Sequence, residues 1–382
     1  MITRATVRKK ERWEYLSRGP RIAWDAIVRG QHRFTYDQMP MVIRGMSLAG
    51  RANLLRSGLN LAYRRLKPWG WPLHMQIELT SFCDLECPVC PTGTGELTRS
   101  AKSIDVDLFE GVMKEAGPYL LTLSLWAWGE PLLHKKLDRI LEITQRYPAV
   151  SLLSTNGQTL NHPRVQDALR RFPPTYLIVA IDGLCDETNS VYRRGARLAP
   201  ALEGVRALAG WKRETGAALP VLHCRFMAMR QNEHELPRLR AFAEQAGFDM
   251  VSIRSLSIID SVEQPHRDLV PVSSLLKAYD YKDGERVRRS DFVCQHAFSF
   301  PSVLADGTVV ACEQDFNGHD AYGVISRENT FSKVWRSAHA STVRRTIKHH
   351  PEDYSFCRNC PYADRPISSC SFDSYELRPV EL

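Results

Sequence analysis

Three cysteines on one short segment are the first residues that could do chemistry. Cys83-Asp-Leu-Glu-Cys87-Pro-Val-Cys90 has the spacing C-x3-C-x2-C. Three thiolates on one loop can hold three irons of a [4Fe–4S] cluster and leave the fourth open to a small molecule, whereas a fully ligated cluster passes electrons. Structural zinc is the competing reading. Zinc takes four protein ligands, and the 3-then-2 spacing fits it poorly.

A second group lies in the last quarter. Cys294 is followed 18 positions later by Cys312, 45 later by Cys357 and 3 later by Cys360, with Cys370 beyond. Thiols stay reduced in a cytosol, so grouped cysteines read there as metal ligands or catalysts before disulfides. Gly307-Thr-Val-Val-Ala-Cys312 reads as a hairpin that carries one of them. Four thiolates make a closed site for either an iron–sulfur cluster or zinc. The chain continues from Cys312 as Glu313-Gln-Asp315, so two carboxylates follow directly on a metal-ligand candidate. Glu313 and Asp315 are the candidate bases, against the plainer reading of solvated or structural carboxylates.

The first group and the motifs after it resemble the radical S-adenosylmethionine superfamily, over roughly residues 74 to 256. Gly129-Glu130-Pro131 resembles the family's G-G-E-P motif, with Trp128 in place of the first Gly. Ser154-Thr-Asn156-Gly resembles its S-T-N-G turn, Ile181-Asp182-Gly183 its S-I-D-G turn with Ala180 in place of Ser, and Tyr192-Arg193-Arg194-Gly195 its arginine-bearing turn. Val89 stands where an aromatic residue usually covers the adenine. The resemblance implies that Cys83, Cys87 and Cys90 hold a [4Fe–4S] cluster. It implies that Gly129, Glu130 and Pro131 hold the amino group of S-adenosylmethionine, that Ser154, Asn156 and Asp182 line its pocket, and that Arg193 or Arg194 pairs with its carboxylate. Asn156 and Asp182 could instead merely close turns.

The last segment resembles the C-terminal extension of such enzymes known as the twitch or SPASM domain. That resemblance implies one auxiliary [4Fe–4S] cluster on Cys294, Cys312, Cys357 and Cys360. Cys370 is then left as an alternative ligand, a hydrogen donor or an inert thiol. The implied chemistry is reductive cleavage of S-adenosylmethionine to a 5′-deoxyadenosyl radical, which abstracts hydrogen from an unactivated C–H bond. The electron comes from a flavodoxin- or ferredoxin-type partner. The leading reading is a two-electron oxidation of a small-molecule, sugar or lipid-linked substrate, in which the auxiliary cluster takes the second electron. One alternative is a redox-neutral epimerase in which Cys370, Cys224 or Cys185 returns a hydrogen atom. Others are a peptide- or RNA-modifying enzyme and, from another class, an iron–sulfur or zinc protein that docks without catalysis.

Such chemistry needs a scaffold that brings the motifs to one end. Short apolar runs read as buried strands at His74–Thr80, Leu120–Ala127, Ser151–Ser154, Tyr176–Ile181, Val221–Met227 and Met250–Ile253. Helical stretches lie between them, one on Phe109, Val112, Met113 and Ala116, another on Leu236, Leu239, Phe242 and Ala243. Strands alternating with helices imply a parallel sheet, so the fold class is α/β, a partial (βα)6 TIM-like barrel. The motifs fall at the C-terminal strand ends, where such folds place chemistry. The expected domains are a basic helical segment at 1–72 without paired strands, the barrel at 73–285 and a small cysteine-rich domain at 286–382. Residues 257–290 read as a polar linker. Short strands are expected around Ser302–Leu304 and Thr308–Ala311.

Composition excludes other classes. With 382 residues, 43% hydrophobic and 25% charged, the chain is an ordinary globular protein with material for a core. Its most apolar stretch, Tyr119–Trp128, is about half a bilayer span. The start has no apolar signal region, so a cytoplasmic location is expected. The charge is uneven: the first 75 residues carry 15 Lys/Arg and 4 Asp/Glu, net +11, while the whole chain is +8. In this segment Val42, Met46, Ala49, Leu55, Leu59, Ala62 and Leu66 recur at helical spacing with arginines between them. The pattern suggests an anionic membrane surface as partner, against basic helices packed on the body with their charges in water. No RNA-binding module is recognisable, so a nucleic acid is not expected.

Overall fold

The computed structural model describes residues 21, 24–257, 268–282, 285–287, 292–358, 360–363 and 371–380. Cys370, most of the first 23 residues and part of the expected linker lie outside the described residues.

The first regular structure is a hairpin, where a helical segment was expected. β1 (His32–Tyr36) and β2 (Met39–Ile43) pair antiparallel. The turn residues Asp37 and Gln38 have φ of 51° and 64°, the left-handed conformation of a two-residue turn whose twist suits the flanking strands. Met39, Met41 and Ile43 alternate inward and are fully buried. That period of two was the usable signal; reading Val42 with Met46 and Ala49 as one helix ran across the break at Gly45.

α1 (Leu48–Tyr63) follows, capped by Ser47, whose hydroxyl accepts from the Gly50 N–H. Its orientation corrects the amphipathic expectation. Asn53, Ser57 and Asn60 face inward and are buried. Asn60 Oδ1 accepts from the Trp69 N–H at 2.9 Å and Asn53 Oδ1 from the Trp71 N–H at 2.8 Å. The Ser57 hydroxyl donates to the Trp71 carbonyl at 2.8 Å. The polar side of the helix therefore satisfies the turn into the barrel, and Leu55 and Leu59 point outward.

The barrel then runs β3 (His74–Ile77), α2 (Val106–Ala116), β4 (Thr122–Ser124), α3 (Leu137–Thr144), β5 (Val150–Thr155), α4 (Pro163–Arg171), β6 (Tyr176–Ala180), α5 (Asp186–Tyr192), α6 (Leu198–Thr215), β7 (Val221–Ala228), α7 (Leu236–Ala246) and β8 (Met250–Ser255). All six expected strands form, and β3 to β8 are parallel neighbours in chain order. α2 forms where Asp105 caps the first turn, its carboxylate accepting from the Asp107 and Leu108 N–H groups, and Phe109, Val112, Met113 and Ala116 supply the buried stripe.

After a small ladder of β9 (Tyr281–Lys282) with β10 (Glu285–Arg286), the cysteine-rich segment contributes α8 (His296–Ser299), β11 (Ser302–Val303), β12 (Thr308–Val310), β13 (Gly323–Val324), α9 (Phe331–Trp335), α10 (Ala338–His349), α11 (Ser355–Arg358) and β14 (Ser371–Glu376). It extends the same sheet. β11 lies parallel to β3, β12 and β13 continue beyond it, and β14 adds antiparallel to β8 at the other end. The order β13-β12-β11-β3-β4-β5-β6-β7-β8-β14 leaves the barrel open.

The strands' two faces separate two cores. Outward residues such as Leu123, Leu153, Leu177, Leu222 and Phe226 pack under the helices. Inward residues near the strand starts, Leu152, Tyr176, Ile178, Val221 and Met250, pack on Met39, Met41 and Ile43. The hairpin thus plugs the end of the barrel opposite the motifs. Its tip is held by charge: Asp37 lies 3.3 Å from Arg254 Nε and 4.0 Å from Arg225, and accepts from the Ser371 N–H at 2.7 Å. Burial alone would raise the Asp37 carboxyl, but the two guanidiniums and Ser371 outweigh it and hold it well below the usual carboxylate range.

Asp37→Asn should therefore lower stability at neutral pH by about 2 kcal/mol, because it leaves two partly buried arginines uncompensated. A carboxyl held low in the folded state adds stability above its unfolded value near 4 and loses it as the pH falls. The deficit of D37N, read as a shift in thermal midpoint, should be full at neutral pH and shrink in acid. An equal deficit at both would remove the ion pairs as its cause.

Candidate active site

The first cysteine group occupies the loop after β3, at the C-terminal end of the barrel. Leu85, Cys87 and Val89 are buried and pack with Tyr192, Met229 and Leu256, and Cys83 and Cys90 pack partly buried against them. Leu269 joins this cluster, and its carbonyl accepts from the Arg230 N–H. The described part of the expected linker therefore helps wall the loop. Burial pushes the Cys83 thiol up to about 12, opposed by a backbone bond and reinforced by the Glu130, Asp84 and Cys87 charges. Burial likewise raises Cys87 to about 11, with Arg193 opposing it. Three cysteines crowded on one walled loop fit the ligand set of an iron–sulfur cluster.

The other motif residues gather around the same loop. Gly129 is pressed against β3's continuation: a Cβ there would sit 1.9 Å from the Thr80 carbonyl oxygen, so only glycine fits. The Glu130 N–H donates to the Phe82 carbonyl at 2.7 Å. The Glu130 carboxylate is buried and accepts three bonds, from the Leu132 N–H at 3.0 Å, the Thr155 hydroxyl at 2.7 Å and the Asn156 N–H at 2.8 Å. It joins the end of β4 to the end of β5, and burial raises it to about 7 against those bonds. Pro131 follows it in a short turn, and Ser154 lies half-buried on β5. Asn156 Nδ2 donates to Asp84 at 2.6 Å and lies 3.8 Å from the Cys83 sulfur.

Asp182, after β6, is fully buried and pairs with Arg193 Nε at 2.7 Å. It also accepts from the Met227 N–H at 2.8 Å. Burial raises its carboxyl, and Arg193 is the main opposing charge. Arg194 is exposed, but its carbonyl accepts from the Glu86 N–H at 3.1 Å and so fastens the arginine turn to the cysteine loop. All eight expected cofactor residues thus stand at one end of the barrel.

Cys294, Cys312, Cys357 and Cys360 line one small cavity, together with Phe292 and Phe356. Cys312 lies two residues past β12, Cys357 lies in α11 and Cys360 follows it. Burial raises all four thiols, and Cys360 reaches about 11. Convergence of four buried or half-buried cysteines from three stretches of the sequence fits a closed metal or cluster site.

The two candidate bases follow Cys312 directly in the chain and are held differently. Asp315 accepts from the His319 and Asp320 N–H groups at 2.9 and 3.0 Å and closes its own loop. Glu313 is bonded to the Tyr362 hydroxyl and approaches the Cys312 sulfur at 3.6 Å, and its carbonyl accepts from the Trp128 indole N–H at 2.8 Å. Trp128 directly precedes Gly129, so Glu313 stands between the two sites. The candidate thiol donors fare differently. Cys224 is buried on the outward face of β7, among core residues under the helices, and Cys185 is exposed at the start of α5.

Several residues at the site were missed. Glu78 and Arg99 form a buried ion pair at 2.5 Å that joins the cysteine loop to the C-terminal segment, and His296 stacks on Tyr362 at 4.8 Å beside the second cavity. An acid inside the apolar run His74–Thr80 was a readable signal for Glu78; Arg99 and His296 had none.

An open α/β barrel with a three-cysteine loop at its C-terminal end and a four-cysteine cavity beside it defines a radical enzyme scaffold with a second cluster domain. Residues 77–223 match the radical SAM superfamily and residues 294–361 match the SPASM iron–sulfur cluster-binding domain. The chain belongs to the radical SAM superfamily, carries a SPASM domain and is an enzyme. Its cofactors are S-adenosylmethionine and [4Fe–4S] clusters. It is similar to the PqqA peptide cyclase of Gluconobacter oxydans (strain 621H), 24% identical over 328 residues, covering 80% of this chain and 87% of that protein. It is also similar to the S-adenosyl-L-methionine-dependent 2-deoxy-scyllo-inosamine dehydrogenase of Niallia circulans, 20% identical over 291 residues, covering 75% of this chain and 91% of that one. The crystal structure of Streptococcus suis SuiB bound to S-adenosylmethionine shares the fold, with a TM-score of 0.58 and 15% identity over 84% of this chain and 81% of that one.

Changing Cys83, Cys87 and Cys90 together to Ala should abolish formation of 5′-deoxyadenosine and leave about four irons per chain on the C-terminal segment. Iron analysis and a deoxyadenosine assay after anaerobic reconstitution check both. Retained deoxyadenosine formation would overturn the assignment of this loop.

Proposed function

We propose that this enzyme removes two electrons from a C–H or C–OH centre of a small-molecule, sugar or lipid-linked substrate. In this reading Cys83, Cys87 and Cys90 hold the S-adenosylmethionine-binding cluster, and Cys294, Cys312, Cys357 and Cys360 hold one auxiliary [4Fe–4S] cluster. The observation that carries the reading is the cavity lined by those four cysteines. The relative that dehydrogenates an aminocyclitol supports a small substrate. When bound, the cofactors supply a 5′-deoxyadenosyl radical that takes one hydrogen atom and an acceptor for one further electron.

The protein residues then have separate tasks. The Glu130 carboxylate is committed to Thr155, Asn156 and Leu132, so it shapes the turn, and the backbone of Gly129–Pro131 is what that turn can offer an amino group. Ser154 and Asn156 line the cofactor, and Asp182 orients Arg193 toward the cofactor carboxylate. Glu313 accepts the proton that the oxidised centre releases, since Asp315 is occupied in closing its loop. The electron donor is a flavodoxin- or ferredoxin-type protein. A peptide could add to paired strands in the N-terminal segment, and β1–β2 is such a pair. The hairpin's inward side is nevertheless spent on the barrel floor, which favours a substrate held in the barrel itself. Epimerisation is weakened because Cys224 faces away from the barrel interior and Cys185 lies at the surface; Cys370 lies outside the described residues.

Cys312→Ala and Cys357→Ala should each lose product while some uncoupled deoxyadenosine formation survives. The wild-type chain should carry about eight irons and form one deoxyadenosine per oxidised product. One zinc with four irons per chain would reject the auxiliary cluster, and deuterium gained from solvent at an otherwise unoxidised carbon would instead show epimerisation.

A further inference from the structure

We propose that the outward face of α1 docks on an anionic lipid bilayer. The proposal does not depend on which reaction the enzyme performs. The helix is inverted relative to an ordinary surface helix, with its amide and hydroxyl side chains turned to the protein and its leucines to the outside. Leu48, Leu55, Leu59 and Tyr63 are 79%, 52%, 46% and 67% exposed. On a helix of 3.6 residues per turn these four positions fall within a band of roughly 80°. The helix cannot roll to bury them. Asn53, Ser57 and Asn60 hold its other side to the turn at 69–71, and Lys348 Nζ donates to the carbonyls of Tyr63 and Arg64 at its C-terminal end.

The apolar surface extends beyond α1. Trp24, Ile27 and Val28 are exposed on the preceding turn, which Arg51 ties to α1 through the Ile27 and Val28 carbonyls at 3.1 and 2.9 Å. Trp69 is half exposed beyond the other end, with the Arg65 guanidinium 3.6 Å from its ring centre. Leucines in the middle with Trp and Tyr toward the edges is the side-chain distribution of a surface that lies in a membrane interface. Arg44, Arg56 and Lys67 are exposed at its borders.

Charge selects the occupant. The first 75 residues carry +11 and the remainder of the chain −3, so the positive charge belongs to the segment that contains α1. A second copy meeting this face on a two-fold axis would set like charges opposite one another. Residues 1–20 hold six Lys/Arg and two Asp/Glu, so folding back over the face would add positive charge to it. Anionic headgroups complement both the charge and the leucines. Contact would be peripheral, since no helix among the described residues is long and apolar enough to cross a membrane.

The test pellets the full-length, cluster-loaded protein with vesicles of phosphatidylcholine alone or of three parts phosphatidylcholine to one part phosphatidylglycerol. The protein should sediment with the second and not the first, and its partitioning should fall at least tenfold in high salt. Leu55→Glu with Leu59→Glu should lower partitioning at least tenfold with unchanged iron content and thermal midpoint. Arg56→Glu, a milder change at an exposed site, should lower it about fivefold or more. Equal sedimentation with both vesicle types, or wild-type binding by both variants, would overturn the proposal. So would a dimer in light scattering that the leucine variant splits, which would assign the face to a second copy. Tighter lipid binding after deletion of residues 1–20 would assign it to the chain's own N-terminal segment.

Discussion

Glu78 is completely buried just past β3, and its carboxylate is where three parts of the chain meet. One oxygen takes the Arg99 guanidinium at 2.5 Å and the Trp128 N–H at 3.3 Å, and the other takes the Ala305 N–H at 2.9 Å. Arg99 in turn donates from Nε to the Phe316 carbonyl at 2.7 Å. A buried charge is costly unless it is paired and its remaining lone pairs are bonded, and here they are. The consequence is geometric. The loop that follows the first cysteines, the turn that begins at Trp128 and the segment that carries Cys312 cannot shift separately without stranding a charge. The spacing between the two cysteine sites is therefore fixed by one carboxylate.

Glu130 and Asp182 repeat the device at the ends of β4 and β6. Each is buried, and each is bonded to a neighbouring strand end: Glu130 to Thr155 and Asn156 after β5, Asp182 to Met227 on β7. Backbone N–H groups at strand ends have no ladder partner, and a buried carboxylate is the side chain that can accept several of them at once. The result is a rim whose shape is set by side chains and not by sheet hydrogen bonds. A cofactor that binds at such a rim meets positions already fixed by partners inside the protein, which is the condition for orienting a reactive group.

Much of this was legible in the sequence because it rests on local pattern. Strands at Tyr176–Ala180 and Val221–Ala228 are near-continuous apolar runs, as parallel strands covered on both faces should be. The cysteine spacings and the short motifs after each strand marked the site without reference to any distant residue. What escaped was decided at long range. The role of the Glu130 carboxylate depends on Thr155, 25 positions on, and that of Arg99 on Phe316, 217 positions on. α1 escaped for a different reason. Periodicity says which residues share a face and not which way the face points, and hydrophobicity ordinarily settles the direction. At Asn53, Ser57 and Asn60 the unsatisfied backbone of residues 69–71 settled it the other way.

The C-terminal segment has a buried centre of its own apart from its cysteines. Arg344 is fully buried between aromatic rings, 4.1 Å from the Trp335 ring centre and 4.5 Å from that of Tyr322. Its guanidinium donates to the carbonyls of Ala297, Leu66 and Trp335, so every part of that charge is engaged. Burial lowers its pKa, with Tyr322 opposing. The same arginine thereby holds α8, α9 and the chain before the barrel together. β11 is secured independently by its parallel pairing with β3. The thiols of Cys294, Cys312, Cys357 and Cys360 hang from this frame and do not build it. A metal-dependent small domain loses its fold when a ligand cysteine is removed; here the contacts of Arg344 with Trp335, Tyr322 and three carbonyls involve none of the four cysteines. What those four cysteines bind can accordingly be separated, by substitution, from whether the segment folds.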